Sequence, residues 1–96
     1  MDCLPNEEAQ KLIREILSNG SVIFPDHARK QMADRNYTVP DVKYILKTGN
    51  VTGSEKHKNT YRYNVHGEDL EGHPGIVVTA VVSKAKMVIV TVKGGV

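Results

Sequence analysis

Apolar side chains recur at Ala9, Leu12, Ile13, Ile16 and Leu17, a spacing that places all five on one stripe of a helix over residues 6–18. Pro5 and Asn6 stand where a cap belongs, and Glu7 and Glu8 suit the positive end of the helix dipole. Asn19-Gly20 supplies the stop. The short run Val22-Ile23-Phe24 predicts a strand, ended by Pro25. A second helix is predicted over about residues 25–36, with Ala28 and Met32 turned inward. Thr38 caps a third, Asp41 fills the capping-box position, Val42, Ile45 and Leu46 form its buried stripe, and Gly49 closes it.

From Val51 onward the period changes to two, and residues 51–55, 60–66, 76–83 and 87–93 read as four strands. The connections over 56–59, 67–75 and 83–86 are short enough for antiparallel hairpins. The stretch 76–92 is apolar on both faces, which predicts central strands. The expected class is therefore α+β: three helices packed on a four- to five-stranded, mainly antiparallel sheet. A chain of 96 residues forms one such domain, 1–96, with a single core.

Composition narrows the compartment. The chain is 40% hydrophobic and 25% charged, as a globular domain should be. Cys3 is the single cysteine, which excludes an internal disulfide and a multi-cysteine zinc site. The N-terminal stretch lacks the apolar segment of a signal peptide, and no apolar run approaches a membrane span. A cytoplasmic protein without membrane contact is expected. The net charge of +2 is small, but its distribution is informative. Residues 1–50 hold seven acidic and seven basic side chains, so the excess lies in 51–96, where Lys56, Lys58 and Arg62 cluster with His57 and His66.

Two polar patterns carry candidate chemistry. His27, Gln31 and Arg35 recur at i, i+4 and i+8 and share one face of the second helix. His27 reads either as a site residue or as an N-terminal histidine bonded to nearby backbone, and Arg35 either as a ligand group or as a last-turn cation. On the strand Thr60-Tyr-Arg-Tyr-Asn-Val-His66, alternation sends Tyr61, Tyr63 and Val65 to one face and Arg62, Asn64 and His66 to the other. The second face is a solvated surface or a row suited to a phosphate and its neighbouring hydroxyl: Arg offers a fork of donors and His exchanges a proton near neutral pH. Lys84 and Lys86 flank a tight turn, as solubilising charges or, with Lys56, Lys58 and Gln31, as RNA contacts. His57, His66 and His73 lack metal-ligand spacing, and no nucleotide or cofactor fingerprint is present, so neither metal nor cofactor is expected.

The segment His27-Ala28-x-x-Gln31-Met32-x-x-Arg35-Asn36 resembles the H-A-x-x-R-M-x-x-R-G signature of a small bacterial domain family of unknown function. Members of that family look like relatives of RelE-type and MqsR-type toxins of toxin–antitoxin modules. The resemblance continues through Arg62-Tyr63-x-Val65-x-Gly67 and Val88-Ile-Val-Thr-Val92, covering about residues 22–92. It implies a RelE-like toxin fold and a metal-independent endoribonuclease, a hydrolase that cleaves RNA by attack of its own 2′-hydroxyl. A cognate antitoxin would restrain it, and ribosome-bound mRNA is one substrate of such toxins. On matching positions the resemblance implies catalytic roles for His27, Arg35, Arg62 and Tyr63; His66 joins them from the strand alternation alone. Such a site requires His27 and Arg62 to face each other across a helix–sheet cleft. Gln31 and Asn36 depart from the signature: the first removes a charge, and the second keeps a residue that tolerates left-handed backbone. The alternative is a non-catalytic RNA- or protein-binding module that retains the fold.

Overall fold

A computed structural model of the chain describes residues 3–94. The order is α1 (Asn6–Asn19), β1 (Ser21–Ile23), α2 (Asp26–Asp34), α3 (Val39–Thr48), β2 (Asn50–His57), β3 (Thr60–Glu68), β4 (Pro74–Ser83) and β5 (Lys86–Gly94). Three helices pack on one five-stranded sheet of order β1-β5-β4-β3-β2. Every pairing is antiparallel except β1 with β5, which is parallel. The predicted α+β class holds, with β4 at the centre of the sheet.

Local chemistry explains the helix ends. Pro5 takes the N-cap of α1 without a side-chain bond, so Asn6 lies inside the helix rather than capping it. At α3 the capping box forms as expected: the Thr38 N–H donates to Asp41 Oδ2 at 2.9 Å, and the Asp41 N–H to Thr38 Oγ1 at 3.3 Å. Helix α2 stops at Asp34, two residues earlier than its apolar pattern predicts. The reason lies in Asn36, which sits at φ 56°. Around it the Asn36 N–H reaches the Ala33 carbonyl and the Tyr37 N–H reaches the Met32 carbonyl. This is a Schellman ending, and it folds Tyr37 back against Met32 in the core.

The core occupies one side of the sheet only. Ile13, Ile16, Ile45 and Leu46 from the helices close over Tyr63, Val65, Val77, Met87, Ile89 and Val92, all buried. Ile76, Val78 and Val88 point the other way and belong to no part of that cluster. Two-faced apolarity in β4 does mark a central strand, but its second face has no covering layer among the described residues. Glycine makes close approach possible where the helices cross the sheet: a Cβ at Gly75 would collide with the Tyr37 hydroxyl and meet Ile45 Cδ1 at 2.8 Å. Two glutamines tie helices to strand edges. Gln10 Oε1 accepts the Val51 N–H of β2, and Gln31 Oε1 accepts the Val92 N–H of β5, each at 2.9 Å.

Candidate functional site

The uncovered face of the sheet carries the polar row that alternation predicts. Arg62, Asn64 and His66 on β3 stand opposite Ala80, Val78 and Ile76 on β4. The register continues outward, so one line across the sheet reads Ile23, Val88, Ala80, Arg62, Glu55. Arg62 is therefore flanked by aliphatic side chains on one side and a carboxylate strand neighbour on the other. It forms no ion pair with Glu55, and its Nε is buried without a hydrogen-bond partner. His66 is exposed.

The hairpins bring together the lysines. Tyr61 pairs with Val81 and Val81 with Met87, so the turns at 58–59 and 84–85 lie at the same end of the sheet. Lys56, Lys58, Lys84 and Lys86 all lie at that end, exposed. Lys56, paired with Tyr61, is on the helix side of the sheet, and Lys84 lines a groove with Glu8, Lys11 and Glu15 of α1. Four cations drawn from two distant stretches of chain thus share one end beyond the Arg62 row, with Glu8 and Glu15 beside Lys84 and Glu55 opposite Arg62.

The other predicted residues scatter. Tyr63 is 2% exposed, faces the helices, and accepts the Leu4 N–H at 3.1 Å on its hydroxyl. It is a core residue, as its alternation indicated, and the catalytic role implied by the resemblance is withdrawn. Burial pushes its pKa up. His27 lies on α2, which runs beside β5, and its Nε2 is 3.2 Å from Gln31 Nε2. Since Gln31 Oε1 already accepts the Val92 N–H, the Gln31 amide nitrogen is the donor toward His27. Strands β5 and β4 stand between α2 and β3, about 10 Å of sheet. His27 and Arg62 thus do not form the facing pair that the RelE-like reading requires. Arg35 is the C-cap residue of α2, eight residues and about 12 Å of helix from His27.

At Arg35 the structure assembles a group that sequence reasoning missed. Arg35, Tyr37 and Asp41 meet Asp69, Glu71 and His73 around a cleft of about 220 Å³. Asp69 organises the β3–β4 loop: its Oδ1 accepts the Glu71 and His73 N–H groups at 2.9 and 3.0 Å. Asp41 Oδ1 accepts the Leu70 N–H at 3.2 Å and so fastens that loop to the start of α3. The Thr38 N–H is the main cause that holds the Asp41 carboxyl below its ordinary range, helped by the Thr38 hydroxyl and Leu70. Tyr37 is 6% exposed, and its hydroxyl has no partner at hydrogen-bonding geometry. Burial first, then the Asp69 and Asp41 charges, push its pKa up. The one sequence signal for this loop is Asp69 four residues before His73 around Gly72, the spacing of a side chain that folds its own turn.

A family model described as a domain of unknown function, DUF4258, matches residues 24–93. The chain belongs to the DUF4258 family. The matched span opens just before His27 and contains the open-face row, the lysine end and the whole cleft; α1 and β1 precede it. No curated protein and no solved structure matched the chain. Among the described residues of this DUF4258 domain, no three His, Cys, Asp or Glu side chains are grouped to hold a metal ion, and no helix is long and apolar enough to cross a membrane.

Proposed function

We propose that this DUF4258 domain binds RNA around the hairpin end of the sheet, with exposed Lys56, Lys58, Lys84 and Lys86 holding phosphates there and Arg62 extending the track onto the open face. The observation that carries this is the convergence of both hairpin turns at one end, which concentrates four exposed lysines that enter no ion pair among the described residues. Such a cluster attracts a polyanion, and binding releases counterions, so affinity falls steeply with salt. Arg62 suits the next phosphate because its fork has no internal carboxylate to satisfy. RNA retention on the purified protein, followed from low to high salt, tests the reading; binding that ignores salt and survives loss of the lysines would sink it.

A second reading adds cleavage, in line with the resemblance to RelE-type toxins. What favours it is His66, exposed on the same row as Arg62 with Asn64 between them. His66 would take the 2′-hydroxyl proton as the 2′-oxygen bonds to phosphorus and the P–O5′ bond breaks, the imidazolium or water returning a proton to the leaving 5′-oxygen. Arg62 steadies the charge gathering on the phosphoryl oxygens. The aliphatic strip of Ile76, Val78 and Val88 beside that row gives an antitoxin segment with an apolar stripe and acidic flanks a place to lie, masking Arg62. Inducing the gene while following growth and RNA integrity, with EDTA-treated protein assayed in parallel, decides between the readings. Chelator-resistant cleavage lost in His66→Ala and Arg62→Ala supports the toxin; salt-sensitive binding without cleavage leaves the binding module.

A further inference from the structure

The cleft at the far end of the sheet holds groups with unused hydrogen-bonding capacity. Arg35 enters no ion pair among the described residues. The Tyr37 hydroxyl is buried in the wall beside the Asp69 carboxylate, short of good hydrogen-bonding geometry. Asp69 Oδ2 lies 3.7 Å from His73 Nδ1, beyond a hydrogen bond. Glu71 is 82% exposed at the rim. Donors and acceptors therefore line one small space together.

That mixture of donors and acceptors selects the ligand. A phosphate would meet Asp41, Asp69 and Glu71; an ammonium would meet Arg35. A neutral planar heterocycle with acceptors on one edge and donors on the next satisfies both. The volume is below the range of about 300–1,000 Å³ typical of drug-sized pockets, which suits a single ring system.

We infer that the cleft formed by Arg35, Tyr37, Asp69, Glu71 and His73 is a guanine-binding site. Guanine presents O6 and N7 to a guanidinium fork, the commonest specific arginine–base contact, and its N1–H and 2-amino group to a carboxylate. Arg35 takes the acceptor edge, Asp69 with the neighbouring Tyr37 hydroxyl and Glu71 take the donor edge, and the half-exposed His73 ring lines the same cleft. Adenine carries no ring N–H beside an exocyclic amine and leaves the carboxylates unpaired. The carboxylates also keep backbone phosphate outside, so only the base enters. As a selector of guanine within RNA the cleft rests on the RNA reading above; the same chemistry would take a free nucleoside.

Calorimetry on the whole protein with guanosine, inosine and adenosine tests it without the complication of phosphate. Guanosine is expected to bind, inosine about tenfold more weakly for want of the 2-amino group, and adenosine not measurably. Arg35→Lys and Glu71→Gln should each weaken guanosine about tenfold. Tyr37→Phe should weaken guanosine while leaving the unfolding midpoint unchanged or raised, which a purely structural tyrosine would not do. Equal or absent binding of guanosine and adenosine overturns the inference even if RNA is retained through the lysines. Guanosine binding without any RNA binding upholds the cleft, assigns it to the free nucleoside, and removes the RNA reading instead. A guanine-containing single-stranded RNA that outcompetes its adenine counterpart upholds both.

Discussion

The two ends of the sheet are built from similar hairpin and loop connections yet hold their charges in opposite ways. At the hairpin end, Lys56, Lys58, Lys84 and Lys86 are exposed and enter no ion pair among the described residues. At the loop end, Asp41 and Asp69 are tied to backbone N–H groups of Thr38, Leu70, Glu71 and His73. Loose charges act through a field that any phosphate can feel. Fixed ones define a shape that few ligands can fill. One end is thus suited to affinity and the other to choice.

Replacing all four lysines by glutamine is the strongest way to break this division. The slope of log affinity against log salt for single-stranded RNA should flatten by about 3, with affinity at low salt down on the order of a hundredfold or more. Stability and any nucleoside binding at the loop end should stay as they were. The reverse experiment is Gly75→Ala, which drives a methyl group into the Tyr37 hydroxyl and Ile45. It should cost about 2–3 kcal/mol in chemical denaturation and deform the cleft, while RNA retention remains salt-sensitive. Gln31→Leu removes the acceptor for the Val92 N–H and should cost about 1 kcal/mol, read from the same curves.

The smallest effect is a pH dependence peculiar to the loop end. Because the folded Asp41 carboxyl ionises at a lower pH than an unfolded one, its bonds favour the folded state whenever it is charged. That contribution is complete above the ordinary aspartate value of about 3.9 and disappears as pH falls through the lower folded value. Urea midpoints at pH 3 and pH 6 should therefore differ less in Asp41→Asn than in the parent protein. Tyr37 works in the other direction: its raised pKa makes unfolding easier as pH climbs past about 10.

Local signals were the legible ones. The Thr38–Asp41 box, the helical stripes and the split of Arg62, Asn64 and His66 from Tyr63 and Val65 all follow from a few neighbouring residues. Tyr63 is instructive, since alternation alone put it inside and only the resemblance proposed it for catalysis. The parallel pairing of β1 was hidden because three residues, Ser21–Ile23, cannot announce a partner 65 positions away. The cleft was hidden for a similar reason. It exists because Gly67 pairs with Gly75 and so brings the Asp69–His73 loop to the Asn36 turn, a register no local pattern encodes.

The glutamine at position 31 shows what a change of charge can leave behind. An arginine there, as in the signature this chain resembles, has five donors and no acceptor, so it could not receive the Val92 N–H. Strand β5 is covered by β1 only as far as Val88. Beyond that point the Gln31 carboxamide stands where another strand would add, as Gln10 does on β2 at the opposite edge. Each amide acts as a stopper against edge-to-edge growth. The substitution Gln31→Arg would add a cation and reopen a border, and concentrated protein should then self-associate where the parent stays dispersed.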